Sequence, residues 1–82
     1  MLGHVNEAED YFKKALKISE EIKDYLQMAY IYYEFAYLYS DYDQDEKAQK
    51  AAKKTLEIFN GLKEKTGVNY PEIDKLYKDY NL

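Results

Sequence analysis

Cysteine is absent from the chain, so neither a disulfide nor a thiolate metal site can brace it. Histidine occurs once, at His4, and a zinc site would rest on carboxylates almost alone, so no metal is expected. Arginine is absent as well. All 12 basic residues are lysine, set against 16 acidic ones for a net charge of −4. Nucleic-acid surfaces are basic and favour arginine, so no nucleic-acid partner is expected. No apolar run approaches the roughly 18 residues that suggest a membrane-spanning helix. No basic-then-apolar N-terminus marks a secretory leader. A cytoplasmic location with no membrane contact follows as the expectation. A glycine-rich phosphate loop is missing. His4 could act as a general base with Glu7 or Asp10, but no cysteine and no positioned serine stands by to use it. The sequence therefore reads as a non-enzyme without a cofactor.

At 82 residues the chain is one domain at most. A chain of this size buries about 60–65 % of the surface that its unfolded form exposes, and its core alone supplies about 3–5 kcal/mol. With disulfides and metals set aside, a partner subunit or close helix packing must supply the rest. What the sequence has in excess is tyrosine. There are 11, seven of them between Tyr25 and Tyr42. The ring gives a large contact area at low entropic cost, and the hydroxyl gives a polar tip. The bias points to binding.

Glycine, proline and β-branched residues are sparse, while alanine, leucine, lysine and glutamate dominate outside the tyrosine-rich stretch. This composition reads as all-α. Four helices are predicted within a single domain 1–82, over about residues 7–23, 25–40, 46–65 and 71–80. In the first, Ala8, Phe12, Ala15, Ser19 and Ile22 fall on one stripe, widened by Tyr11, Leu16 and Ile18. Asn6 is its expected N-cap, with Glu9 completing a capping box. Asp24 can cap the second helix, with Gln27 at the capping-box position. Tyr25, Ala29, Tyr32, Ala36 and Tyr39 form one stripe of it, and Tyr30, Tyr33 and Tyr37 form another. A helix apolar almost all round must be covered on more than one side, so this is the central element. The third carries Ala48, Ala52, Thr55, Phe59 and Leu62 on one stripe, with Asp43 or Asp45 as its cap. Its end falls near Phe59, ahead of Asn60-Gly61, or at Gly67, the stronger left-handed stop. Pro71 opens the fourth, whose apolar side is Ile73, Leu76, Tyr77 and Tyr80.

Shifted by 40 residues, the chain partly matches itself. Ala8 meets Ala48, Lys13-Lys14 meets Lys53-Lys54, Leu16 meets Leu56 and Ile18 meets Ile58. Both windows read A-x4-K-K-x-L-x-I. Helices one and three are then equivalent, and helix two is the other half of a helical hairpin, as in a solenoid. The pattern resembles the tetratricopeptide repeat family. Gly3, Ala8, Phe12, Ala15 and Leu16 match the second helix of its motif, and Tyr32, Phe35, Ala36 and Tyr39 match the first helix of the next unit. Ala48, Thr55 and Leu56 continue it, so the resemblance runs from about Gly3 to Gly67. The departures are a spacing of 40 in place of the usual 34 or so, Ala52 and Asp45 where aromatics are usual, and Asp43 in place of a turn glycine. HEAT-type repeats share the longer spacing, but Gly3 and the small-residue contacts favour the tetratricopeptide reading. The chain opens halfway through such a repeat. It reads either as a piece of a longer solenoid or as a unit whose core a second copy completes.

The resemblance implies a protein or peptide partner, held in the concave groove lined by first helices. Mapped here, the groove residues are Tyr30, Tyr33, Glu34, Tyr37 and Asp41. The spacing i, i+3, i+7 by itself puts the three tyrosines on one face. The alternative is that these rings pack against a neighbouring helix or a second copy, making the chain a homodimerisation module. The family's variant that grips a C-terminal carboxylate uses Lys and Asn where Tyr33 and Tyr37 stand, so that ligand is not expected. Asp41, Asp43 and Asp45 start like a calcium loop, but Glu46 and Ala52 fill its glycine and glutamate positions. The lysines at 47, 50, 53 and 54, and at 13, 14 and 17, read as a solvated face before an anion site.

Overall fold

The computed structural model describes the backbone of residues 2–80 and 82, and their side chains from residue 6 onward. The described residues form four helices and no strand: α1 (Leu2–Glu21), α2 (Tyr25–Asp41), α3 (Asp45–Thr66) and α4 (Pro71–Asp79). α1 starts before the point marked by its capping signal. Asn6 lies inside the helix and does not cap it, because nothing in residues 2–5 stops the chain from being helical. Glu9, freed from a capping box, reaches across to α2, where its carboxylate accepts a 2.8 Å hydrogen bond from the Tyr39 hydroxyl. The side chain of His4 lies outside the described residues.

The α1–α2 and α2–α3 turns are copies of one another, 20 residues apart. Each ends its helix on a left-handed residue, Lys23 (φ 58°) and Asp43 (φ 60°). Each then folds the next N–H back over the last turn. Asp24 N–H donates to the Ser19 carbonyl at 2.9 Å, and Gln44 N–H to the Tyr39 carbonyl at 2.8 Å. This is the paired closure of a Schellman end, made without glycine. After the first turn Asp24 caps α2, its carboxylate accepting from Gln27 N–H at 3.1 Å. After the second, the same register puts Gln44 at the N-cap, with no side-chain bond. Neither Asp43 nor Asp45 caps α3: the first is spent on the left-handed position and the second is already helical. α3 runs through Gly61 to Gly67, whose positive φ of 74° and N–H to the Lys63 carbonyl at 2.8 Å end it.

α2 is the centre, with α1 on one side and α3 on the other. The α2–α3 seam is built of small residues. Ala29, Ala36 and Ala52 are fully buried, and Ala48 nearly so. Ala52, standing where the repeat motif usually has an aromatic, lets the two backbones approach closely. The α1–α2 contact is aromatic, with Phe12 edge-on to Phe35 at 4.7 Å and Phe35 stacked on Tyr39 at 5.7 Å. Buried Thr55 and Ser19 turn their hydroxyls back to the Ala51 and Ala15 carbonyls, which leaves neither polar group unpaired. α4 closes the far side over fully buried Phe59, burying Ile73, Leu76 and Tyr80.

Candidate functional site

The candidate residues Tyr30, Tyr33, Glu34, Tyr37 and Asp41 all lie on α2, on the side turned away from Tyr32, Phe35 and Tyr39. α4 runs alongside this stripe. The Tyr30 hydroxyl donates to Glu72 at 3.3 Å and the Tyr37 hydroxyl to Asp79 at 2.7 Å. Both bonds join residues 42 apart, so α4 runs in the same direction as α2, one repeat further along. One turn beyond, the Ser40 and Tyr80 hydroxyls share a 2.7 Å bond.

The five residues do not form one cluster. Tyr33, Glu34, Tyr37 and Asp41 line a single open depression of about 410 Å³, together with Phe12, Leu38 and Lys75. Tyr30 is set apart, its ring edge-on to Phe59 at 5.3 Å. Within the depression the Tyr33 and Tyr37 rings lie 5.0 Å apart, and the Lys75 ammonium sits 4.8 Å from the Tyr37 ring centre. Such a cation over a ring face is attracted to it. Among the described residues, the Tyr33 hydroxyl makes no hydrogen bond, whereas those of Tyr30 and Tyr37 are held by α4. Glu34 and Asp41 are exposed and add negative charge to the rim.

These bonds set the proton chemistry of the stripe. Burial, and then the Asp79 carboxylate that accepts its hydrogen bond, push the Tyr37 hydroxyl well above its ordinary range. Burial followed by Glu72 raises the pKa of Tyr30. Burial and then Glu9 push Tyr39 up to about 12. In Tyr80 burial raises the value and the bond to Ser40 lowers it, with a net rise. The shifts leave all four hydroxyls protonated to a higher pH than that of a free tyrosine. No cluster of three or more His, Asp or Glu side chains placed to hold a metal occurs among the described residues. None of their helices is long and apolar enough to cross a membrane.

Phe12 and Lys75 belong to the depression and were not candidates from sequence. Phe12 reads as core because it sits on the α1 stripe, and it does touch Phe35, but one side remains open. Lys75 lies one helical turn before Asp79 on α4. The signal for α4 was present in the seven-residue spacing of Glu72 and Asp79, which equals that of Tyr30 and Tyr37.

The sequence profile of the tetratricopeptide repeat family matches residues 1–61. The chain belongs to that family. The match spans α1, α2 and most of α3, and α4 lies beyond the matched residues. No curated protein and no solved structure matches the chain. Tetratricopeptide repeats are in general protein-interaction modules and typically non-catalytic.

Proposed function

We propose that this tetratricopeptide domain binds a peptide segment of a partner protein along α2, over Tyr33, Glu34, Tyr37 and Asp41, with Tyr30 at the edge of the contact. The observation that carries the reading is the division of labour in the stripe. Tyr30 and Tyr37 are fastened to α4, while Tyr33 offers a half-buried ring and an unengaged hydroxyl beside them. The ring supplies apolar contact and the hydroxyl a directional bond, as in other tyrosine-rich binding surfaces. Glu34 and Asp41 lie seven residues apart on the rim, or about 10 Å along the helix. With Lys75 the one cation lining the depression among the described residues, these two carboxylates favour a peptide that carries lysine or arginine.

The test is selection of peptides from a random library on the intact chain, followed by affinity measurement. Tyr33→Ala is expected to weaken the selected peptide about tenfold or more and to leave helicity unchanged. Glu34→Gln is expected to weaken it less and to reduce its salt dependence. Loss of helicity in Tyr33→Ala would mean that the ring is core, and the site would fail.

A second reading has its own support on the outer side of α1. Tyr11, Ile18 and Ile22 lie on one stripe there and are 70 %, 59 % and 67 % exposed. Apolar side chains gathered in this way suit self-association. Sedimentation equilibrium across a wide concentration range decides it. A dimer that Ile18→Lys dissociates supports homodimerisation, and a monomer throughout removes it.

A further inference from the structure

On the side of α2 opposite Tyr33 lies a second depression, of about 480 Å³, between α1 and α3. We propose that this groove docks an acidic amphipathic helix of a partner protein, its apolar side on Tyr32 and Leu16 above buried Phe35 and its carboxylates on the two lysine rims.

The floor comes from α2. Tyr32, Phe35 and Tyr39 stand at i, i+3 and i+7 and so form one row, with Leu16 of α1 and Ala51 of α3 at its margins. α1 and α3 both pack on α2 and not on each other. The groove therefore has a helical floor and two helical walls, and its fourth side is open. A helix laid there would rest on aromatic side chains, which is how amphipathic segments enter helical grooves.

The walls carry charge of one sign. Lys13 comes from α1, and Lys47, Lys50 and Lys54 come from α3. The α3 lysines again sit at i, i+3 and i+7, a row about 10 Å long. Among the described residues only Lys54 has a carboxylate within ion-pair distance, Glu57 at 3.8 Å, and both are exposed. Such a pair neutralises little. Lys47 leans over the Tyr39 ring at 5.6 Å, at the end of the groove where Glu9 already accepts the Tyr39 hydroxyl. In a chain of net charge −4, this strip is locally positive. A small free anion would need donors converging on one point. Ammonium groups spread over two helical turns and facing another across a hydrophobic floor fit several carboxylates carried on one scaffold.

The experiment uses the full chain and a fluorescently labelled synthetic helix of leucine and glutamate, with leucines on one face. A scrambled peptide of equal composition and N-acetylglutamate serve as controls, and binding is read by anisotropy. The amphipathic peptide is expected to bind and to weaken as salt rises. K47E/K50E and, separately, K13E are expected to weaken it about tenfold or more. Both controls should fail to compete, and Tyr33→Ala should leave the affinity unchanged, which separates this groove from the face proposed above. All three lysines are exposed, and acidic residues near the start of α3 suit its dipole, so the variants should keep their helicity. K47Q/K50Q gives a milder second reading. No binding by the wild type overturns the proposal, as does wild-type affinity in both K47E/K50E and K47Q/K50Q. So does equal competition by either control, or a wild-type dimer that K47E/K50E dissociates, which would put a second copy in the groove.

Discussion

At the scale of single residues, the backbone carries strain in two places and slack in one. Lys23 and Asp43 occupy left-handed positions that cost an L-residue about 1–2 kcal/mol. Lys23→Gly is expected to stabilise the fold by about 0.5–1 kcal/mol, less than the full strain because glycine loses more entropy on folding. Asp43→Gly should gain less, since aspartate tolerates the conformation better. Gly61 is the opposite case. It sits inside α3, and a Cβ there would meet nothing within 4 Å. Gly61→Ala should stabilise by about 0.5–1 kcal/mol in denaturant unfolding. Of the two ends that the sequence offers α3, near Phe59 ahead of Asn60-Gly61 or at Gly67 as the stronger stop, the helix takes the second, because the positive φ that stops it belongs to Gly67.

The tyrosines give a pH signature. A hydroxyl whose folded pKa exceeds its unfolded one, near 10, contributes stability that is full below pH 10. Above that the unfolded chain ionises and the folded one does not, so stability falls as pH rises through the folded value. For Tyr39 the window closes at about 12. Tyr30, Tyr37 and Tyr80 act in the same direction. The expected outcome is alkaline unfolding accompanied by cooperative tyrosinate absorbance. Tyr39→Phe should lower stability at neutral pH by about 1 kcal/mol and make the alkaline loss shallower. A gradual, non-cooperative rise of tyrosinate without loss of helicity would contradict this.

At the scale of elements, the α2–α3 seam depends on alanine. Ala52 is fully buried beside Ala29 and Ala36, with no room for the aromatic common at that point of the repeat. Ala52→Phe is expected to cost about 1–3 kcal/mol or more by overpacking, visible as a lower thermal midpoint. The α1–α2 contact, built on Phe12 and Phe35, should respond in the other sense. There, loss of a ring opens a cavity, and Phe35→Ala should cost about 3–5 kcal/mol. The hairpin fold was legible because alanines and aromatics recur at helical spacing and the repeat returns after 40 residues. The caps were less so. Asn6 and Asp45 have the right chemistry, but Asn6 lies inside α1, and at α3 the register of the turn decides which residue occupies the cap. That register follows from the left-handed residue before it, which side-chain type alone did not mark. The candidate stripe was legible from spacing, and its division was not. Tyr30 and Tyr37 match Glu72 and Asp79 only once α4 is known to run parallel to α2.

At the scale of the whole molecule, charge is unevenly divided across α2. Glu34, Asp41 and Asp79 lie toward one face with Lys75 among them, and Lys13, Lys47, Lys50 and Lys54 lie toward the other with Glu9 at its end. A basic peptide and an acidic helix could then be held at once without competing, and salt should weaken both. The central claim is that Tyr33, its ring against Tyr37 and its hydroxyl unengaged between two anchored tyrosines, is where a peptide binds. The most direct measurement is the NMR spectrum of the tyrosine ring protons, assigned and followed as a library-selected peptide is added. The Tyr33 resonances, and after them those of Tyr37, should shift in step with binding while those of Tyr32 and Tyr39 stay in place. Shifts confined to Tyr32 and Tyr39, or to Tyr11 on the outer side of α1, would contradict the account.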